Sequence, residues 1–407
     1  MNRRRAVVTG LGVITSIGQD VPTFWKNLTA GVCGIDLITL FDASGYRVRK
    51  AAEVKEFEPR RYFSPRRLQR MSRCDQLGIR AAREAVADSG IDLEGENRER
   101  VGVFVGGGAG GILSAETYRR KMLQQGWRRV RPSLLLPFST CTINDAIARE
   151  YRILGPRATI ATACSSSANA IGYGLDSIRC GEVDIALAGG SESLSEVTFG
   201  GFNSLRSVDE DCCRPFDLNR KGLSLGEGAA FLVMEEAEHA LKRRAGIYAE
   251  LLGYGLSGEG YHMTAPDPEG KGACRAMGEA LRDGGVPIEE VDYINAHGTG
   301  TPSNDLSETK AIKSLFREKA SRIPVSASKS MIGHCLGAAG AVEAAATILA
   351  VKEDRIPPTI HYQTPDPECD LDYVPHHFRE TVVHVALSNS LAFGGNNTAL
   401  VFGKWKR

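Results

Sequence analysis

Arg157-Ala158-Thr159-Ile160-Ala161-Thr162-Ala163-Cys164-Ser165-Ser166-Ser167-Ala168-Asn169-Ala170 is the stretch from which the fold is read. Its first half alternates and carries β-branched residues, the pattern of a strand. From Cys164 onward, small and apolar residues open a helix with few charges as far as Ile178. A cysteine at such a junction faces the positive end of the helix dipole, which favours thiolate over thiol. The same position suits a small buried hydrophobe, as most free cysteines are.

The chain follows this script twice. Arg322 to Ala350 is again a strand, a turn at Lys329 and a small-residue helix. A helix over Gln76–Asp88, stopped by Ser89-Gly90, precedes a strand over Val101–Val105 that ends in glycines. Its counterpart is a helix over Cys274–Arg282, a Gly284-Gly285 stop, and a strand over Val291–Asn295 that runs into His297-Gly298-Thr299-Gly300. Ala6 to Ile14 likewise matches Tyr248 to Leu256. A repeat this long exceeds solenoid periods of about 20–50 residues and implies two similar α/β units. These are residues 1–247, which carry Cys164, and residues 248–407, which carry the two histidines introduced below. Helices apolar on most sides are buried, so those after Cys164 and Lys329 are expected to pack together between two sheets. A pair of independent dinucleotide-binding domains is the alternative, but its glycine fingerprint fails. Gly10-x-Gly12 lacks a third glycine, and Gly106-Gly107-Gly108-Ala109-Gly110-Gly111 lacks an acidic ribose partner. That glycine run reads as a tight turn near a substrate.

With 407 residues, 42% of them hydrophobic, there is ample material for a large core. A net charge of +1 gives no global field for nucleic acid or a membrane surface. The ten cysteines show no C-x-x-C spacing, and Cys212-Cys213 reads as incidental, so a zinc or redox motif is not expected. Unframed cysteines in this number point to free thiols and a reducing compartment. Arg3-Arg4-Arg5 before Ala6-Val7-Val8 mimics a secretion signal, but Gly10, Gly12 and Gly18 break the apolar stretch, which reads as a first strand. No run of about 18 apolar residues exists to span a bilayer. The expectation is a cytoplasmic protein with no membrane span and no nucleic-acid partner.

Three further segments sit just past strands: Asn295-Ala296-His297-Gly298-Thr299-Gly300-Thr301-Pro302-Ser303-Asn304-Asp305, Ser328-Lys329-Ser330-Met331-Ile332-Gly333-His334, and Asn389-Ser390-Leu391-Ala392-Phe393-Gly394-Gly395-Asn396-Asn397. A lone histidine is commonly structural; two histidines and a lysine at strand ends, with a candidate nucleophile, form a catalytic set. Together the four segments resemble the β-ketoacyl-acyl carrier protein synthases, in their elongating type II branch, over nearly the whole chain. Thr162-Ala163-Cys164-Ser165-Ser166 resembles the nucleophile motif. His297-Gly298-Thr299-Gly300-Thr301-Pro302 and Lys329-Ser330-Met331-Ile332-Gly333-His334 resemble the two histidine motifs.

The resemblance implies an α/β thiolase-like duplicated fold, five-layered αβαβα, and a homodimer. It also implies acyl transfer to Cys164, with the N–H groups of Cys164 and Phe393 as an oxyanion hole. Decarboxylation of malonyl-carrier protein at His297 and His334 would follow, in fatty-acid elongation. Histidine rather than asparagine at 334 separates elongating from initiating synthases. Lys329 would act electrostatically near His334, paired with Glu343. Thr299 and Thr301 match hydroxyls that contact malonyl or pantetheine, and Asp305 would orient the histidine loop. Phe393-Gly394-Gly395 resembles a mobile gate facing Tyr261–Pro266. Ala392 and Asn396 depart from the commoner Gly and Thr of that gate. Ala109 stands where many relatives carry a larger aliphatic at the acyl pocket, so longer or unusual acyl chains are expected. Asn295, Glu343, Ser388 and Asn389 match positions near a structural monovalent cation. No other cofactor is expected, since the phosphopantetheine arrives on the substrate.

Acidic acyl carrier protein calls for basic docking surfaces. Arg66, Arg67 and Arg70, then Arg128, Arg129 and Arg131, and finally Arg206 are the candidates. Three other readings stay open. A ketosynthase of a polyketide or aryl-polyene pathway shares the chemistry. A thiolase would carry Asn in place of His297 and a second cysteine in the C-terminal glycine loop. A chain-length-factor-like partner subunit would lack the nucleophile.

Overall fold

The computed structural model describes residues 3–406. Ten strands form its main sheet: β1 (Ala6–Thr15), β2 (Val101–Gly106), β3 (Arg157–Ile160), β4 (Ile185–Glu192) and β5 (Gly228–Glu236), then β6 (Ala249–Gly258), β7 (Tyr293–Asn295), β8 (Val325–Ser326), β9 (Val385–Ala392) and β10 (Asn396–Gly403). The first five lie in the order β3-β2-β4-β5-β1 and the second five in the order β8-β7-β9-β10-β6. In each set the first three neighbours run parallel and the remaining pairings are antiparallel. One strand order reached twice is the duplication, seen now as topology.

The two sets of five strands are also joined edge to edge. β1 pairs antiparallel with β6, Ala6 opposite Leu251 and Val8 opposite Ala249, and this short seam joins the two sets of five. The edge that each half would leave with unpaired N–H and C=O groups is satisfied by the other.

Six helices cover and fill this ladder: α1 (Arg73–Ser89), α2 (Thr142–Tyr151), α3 (Ser166–Arg179), α4 (Lys271–Gly284), α5 (Pro302–Phe316) and α6 (Ala339–Glu353). Side chains alternate between faces along a strand. Ile185 and Leu187 of β4, with Phe231 and Val233 of β5, therefore meet α1 in an outer core. Ala186, Ala188, Leu232 and Met234 point the other way, toward α3 and α6. In the second half Ala399 and Val401 face α4 and α5, while Leu400 and Phe402 face inward. The layers thus run helix, sheet, helix, sheet, helix, the five-layered αβαβα arrangement of the thiolase fold.

The predicted helix stops are where the backbone needs them. Gly90 and Gly285 adopt left-handed φ of 62° and 63° at the ends of α1 and α4, a conformation that costs glycine little. The central helices are small-sided for a steric reason. A Cβ on Gly340 of α6 would lie 2.7 Å from Ala168 of α3, so the two helices touch almost backbone to backbone. Every residue from Ala339 to Val351 is buried. No helix among the described residues is long and apolar enough to cross a membrane.

Candidate active site

Cys164 sits in a single 3-10 turn, Ala163–Ser165, between β3 and α3. Ala163 holds φ of 51°, a left-handed value that costs a residue with a Cβ and persists only when its surroundings impose it. The serines impose it here. Ser166 Oγ accepts from Thr162 N–H (2.9 Å) and donates to Ala163 O (2.6 Å), while Ser165 Oγ donates to Thr162 O (2.9 Å). Asn169 Nδ2 donates to Thr162 Oγ1 from one turn into α3.

The thiolate expected from the helix dipole is not the resting state. Burial pushes the Cys164 thiol up to about 11, against the pull of the Lys329 charge and the Phe393 backbone N–H, which points at Sγ. The dipole of α3 contributes at most about 2 kcal/mol. That lowers a pKa by roughly 1.5, too little to ionise the sulfur at neutral pH.

His297 follows β7, and its loop is held by two carboxylates from α5. Glu308 accepts from the N–H groups of His297 (2.8 Å) and Gly298 (2.9 Å), and also from Asn389 Nδ2 (3.1 Å). Asp305 accepts from Gly300 N–H (3.2 Å) and Phe216 N–H (2.7 Å), which ties the loop to α5. His334 follows the Lys329–Ile332 turn, and its N–H donates to Ser224 O. The two imidazole rings meet edge to face, centroids 5.2 Å apart. Both are buried, and desolvation with the adjacent Lys329 charge holds both well below the usual histidine range. They are neutral at physiological pH.

Lys329 is paired with Glu343 of α6 and its charge acts on His334, while Nζ also donates to His297 Nδ1 at 3.2 Å. An ammonium can only donate, so Nδ1 accepts and the His297 ring proton sits on Nε2. Burial raises the Glu343 carboxyl, and the Lys329 ammonium pulls it back.

Cys164, His297, His334 and Phe393 line one cavity of about 380 Å³, together with Thr299 and Thr301. The two threonine hydroxyls are 2.9 Å apart. Phe393 stacks on Phe202 with centroids 5.8 Å apart. Gly394 N–H donates to Met263 O, so the 393–395 segment and the 261–266 loop are in contact. Gly394 and Gly395 shape that backbone without lining the cavity.

Ala109 does not line it either, and the glycine run turns around a carboxylate rather than a substrate. Gly108, Ala109 and Gly110 aim their N–H groups at buried Glu192, as does Gly337. Of the basic clusters, only Arg206 reaches the cavity mouth, where Lys221 joins it. Arg66, Arg67 and Arg70 line a separate groove of about 580 Å³ with Arg149 and Glu150. Arg128, Arg129 and Arg131 are exposed on and beside the Trp127–Arg129 turn.

Glu308, Glu192 and Lys221 escaped the sequence reading. Asp305, Glu308 and Ile312 fall on one face of α5, so two carboxylates within an otherwise buried helical stripe were the available signal for Glu308.

Asn295 and Ser388 are opposite partners across β7 and β9, with Asn389 next in the chain and Glu343 on α6 beneath them. Asn295 Nδ2 leans on Glu343 O and Asn389 Nδ2 on Glu308, leaving their oxygens free. Asn295 Oδ1, Glu343 Oε2, Ser388 Oγ and Asn389 Oδ1 are all buried without a hydrogen-bond partner. Four orphaned hard oxygens suit an alkali cation.

A strained nucleophile turn and two neutral imidazoles, set at the meeting of two mirrored α/β halves, define a thiolase-fold condensing enzyme. Residues 3–240 match the β-ketoacyl synthase N-terminal domain and residues 248–363 the β-ketoacyl synthase C-terminal domain. The chain is 42% identical to the 3-oxoacyl-[acyl-carrier-protein] synthase 2 of Staphylococcus aureus (strain N315), over 99% of both chains. Among solved structures, the ishigamide ketosynthase/chain length factor superposes with a TM-score of 0.95 at 41% identity, covering 99% of this chain and 100% of that one. A type II polyketide ketosynthase bound to the hexaketide and in complex with its acyl-carrier protein (AntDE:AntF) gives 0.89 at 32% identity over the full length of both. The chain belongs to the β-ketoacyl synthase family.

Proposed function

We propose that this enzyme catalyses the decarboxylative Claisen condensation of an acyl thioester with malonyl-acyl carrier protein in fatty-acid elongation. The observation that carries this reading is the convergence of Cys164 with two neutral histidines on one cavity.

Cys164 Sγ attacks the thioester carbonyl, and the N–H groups of Cys164 and Phe393 hold the resulting oxyanion. Collapse expels the pantetheine thiol, which takes the proton that Cys164 gives up. Malonyl thioester then loses CO₂, and the electron pair of the broken C–C bond passes into an enolate. The His297 and His334 N–H groups donate to the enolate oxygen; as neutral donors beside a fixed ammonium, they stabilise charge without surrendering a proton. The enolate carbon attacks the acyl-Cys164 carbonyl. The sulfur leaves as thiolate and takes a proton from solvent, the one proton the overall condensation consumes, and the β-ketoacyl chain departs on its carrier. Thr299 and Thr301 hold the malonyl or pantetheine portion. Asn295, Glu343, Ser388 and Asn389 would hold a monovalent cation, whose charge would steady the buried carboxylates behind the lysine.

Arg206 and Lys221 at the mouth suit an acidic carrier protein. Homodimerisation is supported by β3, a sheet edge only partly buried in the single chain, and by Leu123, Trp127, Leu136 and Phe138, which are 50–72% exposed. Ten free cysteines accord with a reducing cytoplasm. A second reading, a polyketide or aryl-polyene ketosynthase, is favoured by Ala392 and Asn396 in the gate loop.

Acyl-carrier protein incubation followed by peptide mass spectrometry should place the acyl group on Cys164. His297→Ala should retain that adduct yet yield no β-keto product. An acyl group found elsewhere, or normal condensation by the histidine variant, would refute the assignment. Products from carrier-bound chains of stepped length separate the two pathways.

A further inference from the structure

Outside the catalytic cavity, three chemistry-bearing side chains from three distant loops come together. Cys33 lies just after the short helix Val21–Thr29, Cys212 in the 209–214 loop, and His361 in the loop beyond α6. The two Sγ atoms and a ring nitrogen of His361 all lie within 4.8 Å of one another. Among the described residues, no other three histidine, cysteine or acidic side chains are brought together as a ligand set in this way. Tetrahedral zinc with bonds of about 2.0–2.3 Å places its ligand atoms roughly 3.5–3.8 Å apart, so the cluster needs only a small contraction. The His361 ring also has a nitrogen, Nε2, that is buried with no hydrogen-bond partner. His361 also holds a left-handed φ of 65°, a strained conformation of the kind kept at ligand clamps. Sequence spacing argues against zinc because it sees only contiguous motifs; this set is assembled by the fold.

We propose that Cys33, Cys212 and His361 form a three-ligand site for a soft-to-borderline divalent metal, Zn²⁺ in the first instance, with water as the fourth ligand. Two thiolates and an imidazole select such an ion over Mg²⁺ or Ca²⁺. Binding breaks two S–H bonds, releases two protons and forms two metal–sulfur bonds; no electron moves. The imidazole distinguishes this from a Cys33–Cys212 disulfide, in which His361 would take no part.

The place of the cluster gives the metal a purpose. Each ligand has a chain neighbour bonded to the turn that carries Lys329. Gly34 N–H donates to Met331 O (2.8 Å), Cys213 Sγ donates to Lys329 O (3.2 Å), and Ile360 N–H donates to Ser330 Oγ (3.1 Å). Clamping the three loops to one ion would fix the Lys329–Ile332 turn from behind, and with it the lysine and His334. The metal's role is structural, since none of its ligands lines the catalytic cavity.

The test uses chelator-treated full-length protein and Co²⁺ as a spectroscopic probe. One equivalent per chain should give thiolate-to-cobalt charge-transfer absorption, displaced by Zn²⁺. Cys33→Ser and His361→Gln should each abolish the band, and Cys164→Ala should retain it. Because Cys33 is the outermost ligand, its serine variant leaves the core intact; circular dichroism and the metal-free melting temperature should match the parent. Zn²⁺ should raise the melting temperature of the parent and not that of Cys33→Ser. No cobalt band, a band that survives in Cys33→Ser, or a Cys33–Cys212 disulfide in the freshly isolated protein would overturn the proposal.

Discussion

Lys329 Nζ lies 3.2 Å from His297 Nδ1 while its charge is met by Glu343 from the helix beneath. One ammonium thereby sets the tautomer of the His297 ring and faces a buried carboxylate. Its loss should separate chemistry from stability in a measurable way.

Lys329→Met leaves Glu343 buried without its cation, a loss worth about 3–5 kcal/mol in comparable pairs. Denaturant unfolding should show that loss. Condensation should fall by a factor on the order of 10² or more, as when an oxyanion donor is removed, while acylation of Cys164 persists. Adding Glu343→Gln should recover much of the stability and none of the condensation. Recovery of both would mean that the lysine acts only on folding.

Because burial pushes Cys164 up to about 11, its thiolate fraction should rise about tenfold per pH unit from pH 7 to 10. Iodoacetamide modification of Cys164, followed by peptide mass spectrometry, should track that slope without levelling off. A plateau near pH 7 would show that the helix dipole outweighs desolvation after all.

Arg206 and Lys221 flank the cavity opening. Arg206→Glu combined with Lys221→Glu should raise KM for acyl-carrier protein about tenfold or more. Turnover of a short acyl-pantetheine should change little. The penalty should shrink with added salt, as expected when charges are screened over about 8 Å at physiological ionic strength. Equal damage with both substrates would place the two residues in the chemistry instead.

Gly340→Val would drive two methyl groups into the backbone of α3 beside Ala168. Overpacking of this kind costs about 1–3 kcal/mol, and here it also displaces the helix that begins just after Cys164. Thermal unfolding should report the first effect and slowed acylation the second. A valine variant with parental melting temperature would show that the central helices can separate without strain.

Much of this was legible from residue pattern. The two small-residue helices, the paired glycine stops and the strand-end histidines are local signals, and each appears where the pattern put it. What could not be read depends on partners remote in the chain. Glu192 organises glycines 82–84 residues away in the chain, which on their own resemble a ligand-binding turn. The seam between β1 and β6 rests on backbone groups, which carry no side-chain signature. The resting protonation of Cys164 is a contest between dipole and desolvation, and only the depth of burial decides it. Cys33, Cys212 and His361 converge from loops whose spacing predicts nothing.

The interlocking of α3 and α6 also bears on how the polypeptide is made. The half bearing Cys164 leaves the ribosome first, the small-residue face of α3 bare until the later half arrives to cover it. Synthesis therefore passes through a sticky, half-clothed species, and chaperones that bind exposed apolar surface should find their substrate there rather than in the finished protein.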